Sequence, residues 1–222
     1  MMFSKNVVVV APHPDDEILG AGGTIARLSS GDTNVHVLYV SGHLPPLYPR
    51  NSFEVTKSEA IAACNILGVT STNFLEIPAT KVNEVPTADL NRQVDEFIKR
   101  FNAELVFIPF PDRHVDHRII FDACMVATRP LNKASPKWVL AYETLSETHW
   151  NAAGIEPQFV PDLFVDITDY KAQKLKALSE YKSQITGNQS RSPNAVEALG
   201  KFRGSQNACE FAEAYKVIRI II

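Results

Sequence analysis

The chain has 222 residues, of which 45% are hydrophobic, and this size and composition predict one compact α/β domain over residues 1–222. Its formal net charge is −3 and it has no run of Lys or Arg, which argues against nucleic acid as a partner. The apolar run at 7–10 is too short for a signal peptide or a membrane span, so we expect a cytoplasmic protein.

Short apolar runs that predict strands alternate along the chain with segments of helical periodicity. The predicted strands are 7–10, 35–40, 73–77, 105–110, 138–143 and 163–168. The predicted helices are 17–29, 54–67, 87–101, 117–128, 169–181 and 192–203. Continuous apolar strands are typical of a parallel sheet covered on both faces. The predicted fold class is therefore α/β, a Rossmann-like, mostly parallel sheet flanked by helices, with a C-terminal extension of strand and helix.

Two segments rich in Pro, Ser, Asn and Gly, 43–53 and 183–194, are predicted to be loops that form the walls of a site. A glycine cluster, Gly20, Gly22 and Gly23, opens the first predicted helix. Its spacing does not match the GxGxxG pattern of dinucleotide-binding folds. We therefore expect these glycines to serve close helix packing and expect no nucleotide cofactor.

Acidic and imidazole side chains follow the first and the fourth predicted strands. HPDDE at 13–17 comes after the first, and DRHVDH at 112–117 comes after the fourth. In an open α/β sheet, the loops at the carboxyl ends of the strands form the ligand crevice. If the two strands are neighbours in the sheet, these loops face each other across one small volume.

Imidazole nitrogen and carboxylate oxygen are ligands that zinc prefers, and a catalytic zinc keeps three protein ligands and an open position for water. His13, Asp16 and one of His114 or His117 satisfy that count. The three cysteines are widely separated and form no CxxC pair, which argues against a thiolate site. The sequence therefore predicts a Zn²⁺ site built by the two loops.

The same motifs resemble those of the LmbE-like, or PIG-L, family of zinc-dependent deacetylases, which act on N-acetylglucosaminyl compounds. The resemblance extends to the C-terminus, through FVDIT at 164–168, Lys174, Ala177, Leu178, Tyr181, Ser183, Gln184, Arg203, Gly204 and AEAY at 212–215. It implies a small-molecule N-acetyl amino sugar or its conjugate as substrate.

The resemblance also implies roles for individual residues. His13, Asp16 and His117 are expected to hold the metal, and Asp15 to act as the general base. His114 is expected to stabilise the oxyanion, with Asp116 orienting it. An N-cap on the helix that begins near residue 117 is an alternative role for Asp116, compatible with the first.

The chain departs from the family pattern at two places. Many relatives carry an Arg near position 56, where this chain has Thr56 followed by Lys57, so no substrate-clamping Arg is predicted there; Arg50 and Lys57 are expected to be solvated loop charges, with substitution for that Arg as the alternative. A family glycine is replaced by Ala208, which predicts an altered turn. Three further histidines have no motif: His36 is expected to be structural, His43 can line the pocket, and His149 beside Trp150 can pack or stack on a sugar.

Three functional hypotheses stay open at this point. The first is an N-acetyl amino-sugar deacetylase, the second a zinc hydrolase of another amide or ester, and the third an inactive metal-binding subunit. Asp15 argues against the third, because a site that only binds metal needs no free carboxylate beside Asp16. The apolar segment 217–222 and the frequent assembly of relatives predict a homo-oligomer, although the segment can equally be a last buried strand.

Overall fold

The computed structural model describes residues 5–222, which form one seven-stranded sheet between two layers of helices. The strands are β1 (Asn6–Ala11), β2 (Asn34–Gly42), β3 (Ser71–Pro78), β4 (Leu105–Pro109), β5 (Trp138–Tyr142), β6 (Leu163–Asp166) and β7 (Ala212–Ile220). The helices are α1 (Asp16–Ser29), α2 (Ser52–Leu67), α3 (Thr87–Arg100), α4 (Val115–Ala127), α5 (Lys171–Leu178), α6 (Lys182–Ile185) and α7 (Pro193–Ser205).

The strand order is β3-β2-β1-β4-β5-β7-β6. Strands β1 to β5 are parallel, whereas β7 runs antiparallel to both β5 and β6. The chain leaves β1 towards β2 on one side and returns to β4 on the other side, so the strand order reverses between β1 and β4. Loops diverge at such a point and leave a crevice.

Burial explains why the strands read as continuous apolar runs. Side chains of β1 alternate between two cores, with Val7 and Val9 in one and Val8 and Val10 in the other, and all four are fully buried. Helices α1, α2 and α5 cover the first core, and α3 and α4 cover the second. The predicted Rossmann-like α/β fold, mostly parallel and flanked by helices, is confirmed.

The C-terminal part of the chain differs most from the prediction. The segment predicted as one helix over 169–181 is a single turn at Thr168–Tyr170 followed by α5, which ends at Leu178, and the short helix α6 follows in the segment predicted as a loop. Strand β7 lies inside the sheet, so the apolar tail is a strand of the same subunit up to Ile220, and only Ile221 and Ile222 are largely exposed. Within residues 5–222, no helix has the length and apolar character needed to cross a membrane.

Candidate active site

The loop after β1 carries a strained backbone at Asp15. This residue has φ of 112°, a left-handed conformation that non-glycine residues rarely adopt and that is enriched at functional sites. Its backbone N–H donates to Glu17 Oε2 at 3.1 Å, and the Tyr181 hydroxyl donates to Glu17 Oε1. Glu17 and Tyr181 are fully buried, so the backbone N–H of Asp15 is bonded to a pair of side chains in the protein interior.

The loop after β4 is organised by hydrogen bonds to its own backbone. Asp112 Oδ1 accepts from the backbone N–H of His114 at 3.0 Å, and His114 Nδ1 accepts from the backbone N–H of Asp116 at 3.1 Å. His114 is thus the N-cap of α4, and Asp116 lies in the first turn. The alternative that Asp116 is the N-cap was wrong, because the helix begins two residues earlier than the apolar periodicity indicated.

The three predicted metal ligands lie together at the crevice between β1 and β4. Asp16 Oδ2 is 3.2 Å from His13 Nδ1 and 3.3 Å from His117 Nε2. Asp16 and His117 are almost fully buried, yet Asp16 Oδ1 and His117 Nε2 have no hydrogen-bond partner. Buried polar atoms without partners are rare in proteins, and several in one place indicate an ion or water that they bind.

The outer nitrogen of each of these two imidazoles faces a carboxylate. His13 Nε2 lies 2.9 Å from Asp116 Oδ2, and His117 Nδ1 lies 3.0 Å from Asp112 Oδ2, which also accepts from the Thr148 hydroxyl at 2.9 Å. Because a carboxylate accepts, these outer nitrogens carry the protons, and the inner nitrogens present lone pairs. Metal-binding histidines are held in this way, with the second ring N–H donated to a carboxylate.

The inner lone pairs of His13 and His117 therefore face the Asp16 carboxylate, an arrangement that repels unless a cation or protons lie between the atoms. Burial lowers the pKa of His117, but the negative charge of Asp16 outweighs it and raises the pKa to about 10. Two imidazoles and one carboxylate form a donor set that suits a divalent metal such as zinc. The residues thus fit a metal ion.

His114 belongs to the same cluster and differs from the other two imidazoles. One nitrogen from each of His13, His114 and His117 lies within 4.8 Å of the others, so all three can approach one ion. However, His114 Nδ1 already accepts a backbone N–H, which places its proton on Nε2 and makes that nitrogen a donor. Burial, followed by the positive charges of His13 and His117, lowers the pKa of His114 to about 4, so the ring is neutral near pH 7.

Asp116 does not orient His114 through its side chain. Its Oδ2 is 4.0 Å from His114 Nδ1, too far for a hydrogen bond, and instead contacts His13 Nε2 and accepts from the backbone N–H of Thr80 at 2.7 Å. The backbone of Asp116 orients His114, and its carboxylate orients His13. Both residues of the predicted pair are at the site, although the contact between them runs through the backbone of Asp116.

Asp15 is paired with an arginine that the sequence analysis did not identify. Arg191 Nη1 donates to Asp15 Oδ2 at 2.7 Å, Arg191 Nε donates to Ser146 Oγ at 3.2 Å, and Arg191 Nη2 lies 3.5 Å from Glu147 Oε1. Asp15 Oδ1 is buried and has no partner. Burial raises the pKa of Asp15 to about 7, and the charge of Arg191 opposes that rise.

The remaining histidines have the roles that their positions suggested. His36 is buried in β2, where Nδ1 contacts Ser71 Oγ at 2.8 Å and the ring stacks on Phe101. His149 Nε2 contacts Glu143 Oε2 at 3.0 Å and therefore packs rather than facing a ligand. His43 lines the cavity above the metal cluster.

Lys57, Arg50, the glycine cluster and the cysteines all lie outside the candidate site. Lys57 is paired with Glu76 at 2.9 Å, and neither Lys57 nor Arg50 lines the cavity, so neither replaces the missing family arginine. The glycine cluster serves packing, because a Cβ on Gly20 would lie 2.2 Å from the Tyr142 ring. The cysteines are unpaired: Cys64 and Cys124 are buried and Cys209 is half-buried.

A cavity of about 800 Å³ opens above His13 and His114. Both predicted wall segments contribute to it, 43–53 through His43 and Tyr48 and 183–194 through residues 183–184 and 186–191. Glu147 and Trp150, from the segment after β5, complete the wall. The buried donor cluster therefore lies at the bottom of a space large enough for a small-molecule ligand.

Comparison with known proteins places this geometry in context. Residues 8–128 match the family model PIG-L, described as GlcNAc-PI de-N-acetylase. The chain is 28% identical over 199 residues to a probable N-acetyl-alpha-D-glucosaminyl L-malate deacetylase 2 of Bacillus anthracis, covering 83% of this chain and 84% of that protein.

Two further matches extend over most of the chain. A diacetylchitobiose deacetylase of Thermococcus kodakarensis is 29% identical over 203 residues, covering 82% of this chain and 70% of that protein. The crystal structure of a conserved protein from Thermus thermophilus superposes with a TM-score of 0.75 at 25% identity, covering 99% of this chain and 97% of that chain.

Proposed function

Because the chain belongs to the PIG-L family, whose model matches residues 8–128, we propose that it is a zinc-dependent N-deacetylase. It removes the acetyl group from an N-acetylated amino sugar or its conjugate and releases acetate and a free amine. The observation that carries the proposal is the convergence of His13, Asp16 and His117, with unpartnered buried atoms, beside Asp15. The names of two relatives, an N-acetylglucosaminyl malate deacetylase and a diacetylchitobiose deacetylase, support the same reaction.

His13 Nδ1, the Asp16 carboxylate and His117 Nε2 would hold the metal, because these are the atoms left with free lone pairs. Zinc bound there supplies a Lewis acid that polarises the amide carbonyl and eases the loss of a proton from water. Asp112 and Asp116 hold the two imidazoles through their outer nitrogens and thereby fix the direction of the inner lone pairs.

Asp15 is suited to move the proton. Its Oδ1 is free to accept a proton from the attacking water, while Oδ2 is held by Arg191. As the C–N bond breaks, the same carboxyl can return that proton to the departing amine, which would otherwise leave as a strongly basic anion. Water thus supplies the oxygen of acetate and the proton of the amine.

His114 is suited to stabilise the negative charge that develops on the carbonyl oxygen. Its Nε2 carries a proton and its ring is neutral, so the side chain donates a hydrogen bond and does not compete for the metal. The cap contact with the backbone of Asp116 fixes the ring before substrate binds.

The test is acetate release, measured by mass spectrometry over a panel of N-acetylated amino sugars after chelation and after zinc is restored. We expect zinc-dependent release that Asp15→Asn abolishes while zinc content stays at one ion per chain, since the amide keeps the shape of the side chain but accepts no proton. Asp122→Asn, an exposed change on α4, is the matched control and keeps full activity. Activity of Asp15→Asn within tenfold of the parent would exclude Asp15 as the base.

The same panel separates the alternative functions. Hydrolysis of simple amides or esters, with no release from any acetylated sugar, would favour a zinc hydrolase of another class. Stoichiometric zinc without any hydrolysis would favour the metal-binding subunit. The unpartnered Oδ1 of Asp15 argues against this last function, because a site that only binds metal needs no free carboxylate beside Asp16.

Self-association stays a prediction, and it is now supported by the edge of the sheet at β6 and no longer by the apolar tail. The apolar tail is folded into β7, but β6 is an edge strand of four residues, and an apolar cleft lined by Leu28, Leu163 and Val165 lies beside it. Light scattering should give a mass above the 24.6 kDa of one chain at micromolar concentration. A single-chain mass would contradict the prediction.

A further inference from the structure

Among the described residues, the acidic or basic side chains other than histidine that line the cavity are Arg191 and Glu147. Among residues 5–222, Arg191 is the only Lys or Arg that lines it. Its guanidinium is already shared between Asp15 and Glu147, at 2.7 and 3.5 Å. Because Glu147 also lines the cavity and also pairs with Arg113 at 3.4 Å, the described part of the wall offers no cation that is free to neutralise an anionic ligand.

An anionic group on the substrate would therefore bind weakly at this wall. Carboxylates and phosphates are bound in proteins by Arg or Lys, usually through paired N–H donors. Lys57 on α2 does not line the cavity and is paired with Glu76. A negative charge placed beside Glu147 would also be repelled.

Another part of the wall carries groups that can bind sugars. Asn188 and Gln189 carry amide groups, which both donate and accept hydrogen bonds and so match the hydroxyl groups of a sugar, whereas the Ser183 hydroxyl already donates to Glu59 and accepts from Gln184. Trp150 lies on the same wall with 54% of its surface exposed. An exposed indole presents a flat apolar face that can stack on the C–H face of a pyranose ring.

Trp150 is held in place from outside the cavity. The Arg113 guanidinium carbon lies 5.9 Å from the centroid of the Trp150 ring, at cation–π distance, and Arg113 is in turn paired with Glu147. The exposed ring is therefore contacted on its outer side by Arg113.

We propose that the substrate is an N-acetylated amino sugar whose remaining part is an uncharged sugar, with this second ring stacked on Trp150; this rests on the proposed deacetylase function. The acetylated ring lies at the bottom of the cavity, next to His13 and His114, and the second ring lies against the outer wall. A cavity of about 800 Å³ has room for both. Of the two named relatives, the chitobiose deacetylase is then the better guide to substrate than the malate deacetylase.

The experiment compares kcat/KM of the zinc-loaded full chain for di-N-acetylchitobiose, N-acetylglucosamine and N-acetylglucosaminyl L-malate. We expect the disaccharide to be preferred over the malate conjugate by tenfold or more. Trp150→Ala should lower kcat/KM for the disaccharide by about tenfold and leave that for the monosaccharide within about twofold, since only the second ring loses its contact. Trp150→Phe should restore most of the loss.

A matched control and a second readout keep the outcome specific. Phe202, an aromatic of 56% exposure on α7 that does not line the cavity, is changed to Ala in the control and should leave all three substrates unaffected. Binding of the deacetylated disaccharide should quench the fluorescence of the parent, and the Trp150→Ala variant, which retains Trp138, should show no quenching.

The outcomes separate the two proposals. Acetate release with a preference for the malate conjugate, or equal losses for all three substrates in Trp150→Ala, would overturn the inference and leave the deacetylase function standing. No acetate release from these three or from any other acetylated sugar of the panel would instead overturn the proposed function. In that case, quenching by the disaccharide that disappears in Trp150→Ala would still support the sugar-binding wall.

Discussion

Three imidazoles share one small volume in this protein, and the hydrogen bonds of their outer nitrogens distinguish them. His13 and His117 each face a carboxylate at the outer nitrogen, so each has an inner lone pair. His114 accepts a backbone N–H instead and therefore offers a proton. The proposed division between metal ligands and hydrogen-bond donor rests on which neighbour each ring contacts, and it can be tested one residue at a time.

His114→Ala should leave the zinc content unchanged and lower turnover by about 100-fold to 1,000-fold, the usual cost of losing one oxyanion donor. Substrate binding should change much less, because the bond to the oxyanion exists mainly in the transition state. His117→Ala should lose the metal, since it removes one of three ligands. Elemental analysis together with steady-state kinetics checks both variants. If His114→Ala lost its zinc and His117→Ala kept it, the roles of the two residues would have to be exchanged.

Zinc and protons should compete for the same lone pairs. Burial lowers the pKa of His117 but the Asp16 charge raises it to about 10, so near pH 7 the ring holds a proton that zinc must displace. The bound form carries fewer protons than the free form, so zinc affinity should rise with pH across the neutral range. Calorimetry in buffers of different ionisation enthalpy should detect proton release on binding. Affinity independent of pH, with no proton released, would contradict the protonation of His117.

The helices and strands were the part of the fold that the sequence could predict best. The runs in β1, β2 and β4 are buried on both faces, and this made them continuous and easy to recognise. Strand β7 was harder to assign because its last five residues are only half-buried and because it runs antiparallel to its neighbours. Its place between β5 and β6 depends on contacts with distant segments, which local periodicity does not contain.

The candidate site was predictable where its residues follow strands in sequence. HPDDE and DRHVDH each follow a strand, and these two strands are parallel neighbours in the sheet, so both motifs lie at the same edge of the sheet. Arg191 could not be found in this way, because it lies 176 residues from Asp15 in a polar segment with no periodicity. Glu147 was equally hidden, since only the folded chain brings the segment after β5 to the cavity, whereas Trp150 of the same segment was already named as a residue that can stack on a sugar.

The turn after α7 contains one strained residue, Ala208. Ala208 has φ of 55°, where an alanine costs about 1 to 2 kcal/mol and a glycine costs none. Ala208→Gly should therefore stabilise the protein by roughly 0.5 to 1 kcal/mol after the entropic cost of glycine, and raise Tm by about 1 to 4 °C.

Thermal and urea unfolding measure this effect, and a second alanine provides the control. Ala198 is also exposed but lies inside α7, so Ala198→Gly should destabilise the protein by about 1 kcal/mol. If both substitutions lowered stability to the same extent, the left-handed strain at Ala208 would be absent in solution.

At the scale of the whole molecule, the candidate site connects the two halves of the sheet. The loop after β1 supplies His13 and Asp16, and the loop after β4 supplies His117, at the point where the strand order reverses. Side chains of the two loops meet there through the contacts of His13 with Asp116 and of Asp16 with His117. A metal bound between them would therefore stabilise the folded protein as well as serve catalysis.

Zinc should accordingly raise the thermal stability of the full chain, and chelation should lower it. A ligand at 100 times its dissociation constant that binds only the native state adds about 2.7 kcal/mol, which for a chain of this size corresponds to a rise in Tm of roughly 5 to 10 °C. Differential scanning calorimetry of the parent, with zinc and with chelator, measures the difference.

His117→Ala should abolish this rise in Tm, because without that ligand the folded state has no higher affinity for zinc than the unfolded state. His36→Gln, a change in a buried histidine of β2 that contacts Ser71 and Phe101, is the control: its Tm falls, but the increment produced by zinc remains. An equal increment in parent and His117→Ala would mean that zinc stabilises the protein from another place.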